Sequence, residues 1–257
     1  MKDEPKNWKR PSFVANGGDP FLFYVVLGAV DFSTAFSPRK YRSNGPTEGL
    51  AVTAYDRVQH PQVAAGFRSG FLWEEFATAN PVVARQVADS NDCCVLRGTP
   101  EDSHTLNYLR DTVGLIAYLL DNGGVAVFDP WMFRWWTAAE WQETVFAATR
   151  LQLDHHVVIL VSKEADPSLK WFHSRGMRKF GRPDISVHNV STAFEDDVIE
   201  LCNDLMAFQA DGDVLLDGQP VARDSLPPGG TMHYAGDLDD PDFNNIHLEV
   251  AWPHGVF

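Results

Sequence analysis

The chain has 257 residues, is 44% hydrophobic and carries a formal net charge of −14. That length supports a sizeable core, in one large domain or two small ones. The 17 Phe and 8 Trp argue against disorder, and the acidity argues against a nucleic-acid partner, because phosphate binding needs a basic face.

Residues 1–19 read as a loose, charged arm with two Pro and a Gly-Gly pair. The stretch MKDEPKNWKRPSF lacks the apolar centre of a signal peptide. Phe21 to Val30 predicts a strand and is too short to span a bilayer. Three Cys, two of them adjacent, make no disulfide framework, and a reducing compartment is the simplest reading. Together these features predict a cytoplasmic protein with no membrane contact. Residues 37–49 read as loop, with Pro38, Asn44-Gly45-Pro46 and the basic trio Arg39, Lys40 and Arg42. Leu50 to Tyr55 predicts another strand and Phe71 to Phe76 a helical turn. Asn80-Pro81 marks a helix start, with Asn as cap and Pro at the first helical position. That helix should run to about Ala88.

The clearest signal is Cys93 to Pro130. Cys93-Cys94-Val95-Leu96 is a short apolar run stopped by Gly98 and Pro100, as a buried strand would be. Asp102 or Ser103 is placed to cap a helix over 103–121. Leu106, Leu109, Val113, Ile116 and Leu120 line one face of it, and Tyr108, Leu115 and Leu119 widen the stripe. Asn122-Gly123-Gly124 ends the helix. Val125 to Phe128 is a second apolar strand, closed by Asp129-Pro130. Two buried strands joined by a helix are expected to lie parallel with a right-handed crossover.

Beyond this unit, Thr137 and Glu140 form a capping box, with Trp136 and Trp141 placed as a hydrophobic staple. The helix should reach about Arg150. His156 to Val161 predicts a third buried strand. Trp171–Ser174 and Ile185–His188 alternate apolar and polar residues, which places them further out in the sheet. Thr192 and Glu195 suggest a second capping box, before a helix with Val198, Leu201, Leu205 and Phe208 on one face. Thr231–Tyr234 and Ile246–Trp252 form a hairpin around the acidic loop Gly236 to Asn245. The fold class expected is α/β (mixed α+β). Its centre is a mixed sheet with a parallel βαβαβ core, helices packed on it and antiparallel strands at the edges. The organisation expected is an arm and lobe over 1–92, an α/β core over 93–212, and a turn-rich segment with the hairpin over 213–257, all in one domain.

Val95-Leu96-x-Gly98, then Gly124-Val125-Ala126-Val127-Phe128-Asp129-Pro130 and Trp136-Thr137-x-x-Glu140-Trp141, carry a resemblance. So does Ser174-x-Gly176-x-x-x-Phe180-Gly181-x-Pro183-Asp184. Over about residues 93–210 the chain resembles an uncharacterised bacterial family, a domain of unknown function. That family has Thr and Glu where this chain has Ser174 and Asp184. The resemblance implies a fold and brings no catalytic residue.

Chemistry has few places to sit. His173, Arg175, Arg178 and Arg182 form a basic cluster in an acidic chain, with Gly176 and Gly181 allowing tight turns. Arginine forks suit carboxylate or phosphate, so this segment is the candidate anion site. Such runs are more often solvated faces whose charges pair with nearby acids. His155-His156 point to opposite faces of a strand and cannot share an ion. His173 with His188, or His233 with His247, has no third ligand at fixed spacing. Asp237 to Asp242 fails the calcium-loop pattern, since Asp242 and Leu248 stand where Gly and a carboxylate are required. Gly66-Phe67-Arg68-Ser69-Gly70 has its Ser one place late for a nucleophile elbow. No dinucleotide or phosphate loop occurs. No catalytic residue, cofactor or metal is therefore assigned. Trp131, Phe133, Trp135 and Trp136 are residue types enriched in binding hot spots. They point to a non-enzymatic protein–protein interaction role, of the immunity or accessory kind. The alternative is an enzyme or small-ligand binder using the anion site at His173–Arg182.

Overall fold

A computed structural model describes residues 6–252. The chain forms two compact units. Unit 1 comprises residues 21–101 and 105–155 with the N-terminal segment up to Lys9. Unit 2 comprises 10–20, 102–104 and the chain from His156 onward. This division differs from a core over 93–212, because that range supplies strands to both units. Among the described residues no helix is long and apolar enough to cross a membrane.

Unit 1 is built in the order β1 (Leu22–Leu27), α1 (Pro38–Tyr41), β2 (Leu50–Tyr55), α2 (Pro61–Phe67), α3 (Phe71–Ala79), α4 (Pro81–Ser90), β3 (Cys93–Gly98), α5 (Asn107–Asp121), β4 (Ala126–Asp129), β5 (Arg134–Thr137) and α6 (Ala138–Glu140). Its five strands lie in the order β2-β3-β1-β4-β5, each antiparallel to its neighbours. β3 and β4 do run the same way, joined by α5. They are not adjacent, because β1 lies between them and pairs with both. The expected parallel pair is thus split by the N-terminal strand. The physical reason is that LFYVVL is at least as apolar as either flanking strand, with Leu22, Tyr24, Val25, Val26 and Leu27 fully buried. An unbroken apolar run states that a strand is covered on both faces. It does not state which strand lies beside it.

α5 is as central as its sequence predicts, with thirteen of its fifteen residues buried. It begins at Asn107 rather than 103, without a side-chain cap. Asp102 and Ser103 have another use, described below. The Thr137–Glu140 capping box forms in both directions, at 2.7 and 3.1 Å. Trp136 and Trp141 meet edge-on with ring centroids 6.2 Å apart. α6 then continues as a π-helical segment, Trp141–Phe146, and stops short of Arg150. α4 starts at Pro81 as read, but the Asn80 side chain gives no cap; its amide donates back to the Phe76 carbonyl. One apolar cluster joins Val25, Leu27, Phe76, Val87, Cys93 and Trp135, and the Trp135 ring stacks on Phe128 and Phe76. Aromatic pairs of this kind contribute about 0.5–1.5 kcal/mol each beyond the area they bury.

Unit 2 contains β6 (Val158–Lys163), β7 (Leu169–Arg175), β8 (Asp184–Ser191), α7 (Glu195–Ala210), β9 (Pro220–Val221), β10 (Gly230–Ala235) and β11 (His247–Ala251). The sheet order is β6-β7-β8-β11-β10-β9, antiparallel except for the parallel pair β8–β11. The hairpin β10–β11 is where the sequence predicts it. The third apolar run is not beside β3 and β4. It forms β6, at the edge of this other sheet, and Val161 is half exposed. The expected order is inverted here: β7 and β8 are interior strands. On the alternating polar and aromatic face, His173, Arg175 and Ser186 are buried, while Trp171 and His188 are part-exposed. Thr192 and Glu195 make no capping box. Thr192–Phe194 is a 3-10 turn, and the Glu195 carboxylate pairs with Lys170 at 2.7 Å. Along α7, Val198, Leu201 and Leu205 are buried and Phe208 is exposed.

Candidate functional site

The basic segment of unit 2 folds inward. β7 sets Trp171, His173 and Arg175 on one face of its strand, two residues apart. His173 stacks on Trp171 at 3.9 Å and meets Phe243 edge-on at 5.8 Å. Burial, with Arg175 and His188 nearby, lowers its pKa to about 4, so the imidazole is neutral at neutral pH. Arg175 is buried near Asp184, Asp240 and Asp242. Asp184 accepts from Ser174 Oγ at 2.9 Å, from the Met177 N–H at 3.2 Å and from Asn245 at 2.8 Å. Burial raises it to about 6.

The other two arginines tie loops together. Arg178 donates to the carbonyls of Leu238 and Asn244. Arg182 donates to Asp102 at 3.0 Å and to the carbonyls of Gly212 and Asp213 at 3.0 Å each. Arg10 engages the same Asp102 from the other oxygen and reaches the carbonyls of Phe180, Gln209 and Ala210. Arg10 and Arg182 are each 2% exposed. Asp102, read as a helix cap, is thus the shared counter-ion of two buried guanidiniums. Within the segment His173–Arg182, Arg178 and Arg182 are directed at this chain's own carbonyls and carboxylates, and Arg175 lies buried near three Asp side chains.

The aromatic cluster also turns inward. Trp131, Trp135 and Trp136 are 8%, 7% and 1% exposed. Phe133, between β4 and β5, is 38% exposed and adopts φ 54°. Four aromatics on one surface is therefore not what the chain presents. Cys93 and Cys94 are buried thiols, raised by burial to about 11 and about 12, and poor nucleophiles. In the acidic loop, Asp237 and Asp240 accept main-chain N–H groups within the loop.

A different basic site lies in unit 1, and it is a cavity. Its volume is about 330 Å³, within the range of small-molecule sites. The N-terminal segment contributes Lys6 and Trp8, α1 contributes Arg39 and Tyr41, and α5 contributes Arg110 and Val113. Arg42 and Phe146 complete the wall. Among the described residues no carboxylate lines it.

The sequence builds this wall by local means. Ser37 caps α1, accepting the Lys40 N–H at 3.3 Å, and Pro38 opens the first turn. Arg42 ends α1 in the left-handed region, φ 49°. The reversal drops Ser43 onto α5, where its hydroxyl donates to the Asp111 carbonyl at 2.8 Å. Gly114 permits this approach, because a Cβ there would lie 2.1 Å from the Tyr41 carbonyl oxygen. Tyr41 is held by Phe36 and Tyr118 at 5.4 Å each, and its hydroxyl reaches Asp121. The Trp8 main chain is fixed twice: its N–H donates to the Asn107 side-chain oxygen at 3.1 Å and its carbonyl accepts the Leu106 N–H at 2.7 Å.

The cations in the wall differ. Arg110 is answered by Asp111 at 2.6 Å and also donates to the Lys6 carbonyl at 3.0 Å. Lys40, the third member of the basic trio, points to Asp121 at 2.7 Å and does not line the cavity. Arg39 and Lys6 are exposed. Arg42 is half-buried, with its guanidinium 4.2 Å from the Phe146 ring centre. Its Nη1 donates to the carbonyls of Ala147 and Ala148 at 3.5 and 3.4 Å. Burial lowers its pKa, and among the described residues no carboxylate pairs with it. The trio is visible in the sequence; Lys6, Trp8, Arg110 and Phe146 are not, since they come from three distant segments.

Compared with protein-family models, curated proteins and solved structures, the chain matches none.

Proposed function

We propose that the protein binds a small amphiphilic anion in the cavity of unit 1, without chemistry of its own. One observation carries this reading. Arg42 is a half-buried guanidinium on a cavity wall, and among the described residues its hydrogen bonds go to main-chain oxygens only. Desolvating a cation is costly unless an anion answers it. The apolar wall of Trp8, Tyr41, Val113 and Phe146 suits the body of such a ligand, and Arg42 suits its charge. The test is a calorimetric titration with 2-naphthoate, an aromatic anion. Wild type should bind it saturably at one site, and Arg42→Leu, checked for an unchanged melt, should bind at least about tenfold more weakly, or about 1.4 kcal/mol. Equal binding by the two proteins rules the reading out.

A protein–protein interaction role of the immunity or accessory kind ranks second, because Phe133 is the aromatic left to support it. An anion site at His173–Arg182 ranks below both, since Arg178 and Arg182 are engaged with carbonyls. The likeness of residues 93–210 to an uncharacterised bacterial family is kept as a proposal of kinship, and it carries no site.

A further inference from the structure

We infer that the cavity of unit 1 selects a planar monocarboxylate on an aromatic body, gripped by the Nε–Nη2 edge of Arg42. This rests on the proposed function and narrows it. The argument begins with the orientation of the guanidinium. Nη1 is turned to the carbonyls of Ala147 and Ala148. Those two bonds fix one corner of the fork and leave the opposite edge, Nε with Nη2, for a ligand. That edge presents two parallel N–H groups, which match the two oxygens of a carboxylate.

The Phe146 ring decides between carboxylate and phosphate. The guanidinium carbon lies 4.2 Å from the ring centre. A carboxylate bound to the fork lies in the guanidinium plane, with no atom out of it. A phosphate or sulfonate brings further oxygens above and below that plane. One of them is directed toward the side on which Phe146 lies, and the face of an aromatic ring carries partial negative charge. The ring therefore favours the cation and disfavours a tetrahedral anion on it.

Charge matching agrees. Arg110 is already answered by Asp111, and Lys6 and Arg39 stand exposed where water screens them. Arg42 is the half-buried cation in the wall with no carboxylate partner among the described residues. One half-buried positive charge is matched by one negative charge. A phosphate monoester carries nearly two near neutral pH, since its second pKa is about 6. Trp8 and Tyr41 are buried, and the Tyr41 ring packs on Phe36 and Tyr118, so the two rings offer an apolar wall to a flat body.

The experiment compares 2-naphthoate, 2-naphthalenesulfonate, 2-naphthyl phosphate and 2-naphthol as displacers of bound 8-anilinonaphthalene-1-sulfonate, with wild type and Arg42→Lys. Wild type should bind naphthoate at least about tenfold more tightly than the other three. Arg42→Lys keeps the charge and removes the fork. It should lose the preference for naphthoate over sulfonate while still binding both more tightly than naphthol. If phosphate or sulfonate equals naphthoate in wild type, the carboxylate assignment is overturned and the anion reading stands. If naphthol equals the three anions, the anion reading itself fails.

Discussion

In unit 2, Arg10 and Arg182 share the carboxylate of Asp102 and turn their remaining N–H groups to main-chain oxygens. In unit 1, Arg42 meets two main-chain oxygens and, among the described residues, no carboxylate. The first arrangement is closed: each guanidinium meets one oxygen of a shared carboxylate and main-chain carbonyls inside the fold, so the arginines serve stability. The second is open on one edge and borders a cavity. The lesson is that a cluster of cations in sequence says nothing of its use. What decides is whether the fold brings counter-charges to it.

The comparison can be broken from either side. The largest effect expected is that of Leu109→Asp, in the first turn of α5, which carries one wall of the cavity. Leu109 is fully buried, and an unpaired carboxylate there costs several kcal/mol, against a domain's stability of roughly 5–15 kcal/mol. The protein should fail to fold; a wild-type melting temperature would show that α5 does not carry unit 1. Next comes Asp102→Ala, which leaves two buried guanidiniums without their carboxylate. Breaking a buried pair costs about 3–5 kcal/mol, and for a chain of this size the melting temperature should fall by about 6–20 °C. A shift within about 1 °C would mean that the network is not closed in the way described.

The third effect depends on pH. His173 has a folded pKa of about 4, below its usual 6.5. The unfolded chain therefore takes up a proton first, and this group withdraws stability as pH falls from 6.5 toward 4. Asp184 acts the other way: its folded pKa of about 6 lies above the usual 3.8, so the folded state protonates first and gains stability as pH falls from 6 toward 3.8. Replacing His173 by Phe removes the first contribution and keeps the second. On acidification from pH 7 to pH 5, scanning calorimetry should show the His173→Phe protein losing less melting temperature than wild type. An identical loss would show that His173 does not titrate with unfolding.

The smallest effect expected is that of Arg42→Ala on stability. Its two carbonyl bonds are long and part of the side chain is in water, so the change should stay within about 1 kcal/mol in urea unfolding. A loss as large as that of Asp102→Ala would make Arg42 a second structural arginine and remove the contrast.

Much of the local structure is legible in the sequence. The strands β1, β3 and β4, the start of α4, the capping box at Thr137 and the hairpin β10–β11 follow from apolar runs, Pro, Gly and cap spacing. Adjacency is not legible. Leu22–Leu27 and the start of β6, Val158 to Val161, are both apolar, yet one strand is central in its sheet and the other forms an edge. The difference lies in long-range pairing that no local pattern encodes. The site follows the same rule. Arg39, Lys40 and Arg42 are visible as a basic group, and so are the arginines from 175 to 182. Their roles depend on Asp102, Asp111, Asp121 and Phe146, which arrive from elsewhere in the chain.

The sharing of Asp102 has a consequence for inheritance. Unit 2 draws on the chain three times, at 10–20, at 102–104 and from 156 onward. A gene fragment starting at codon 156 encodes every strand of its sheet and lacks both Arg10 and Asp102. Arg182 would then be made without the carboxylate that answers it in the fold. Recombination at one breakpoint therefore cannot lend this unit to another gene as a cassette. Its three segments must descend together, and the substitutions tolerated at position 10 are constrained by residues encoded nearly a hundred codons away.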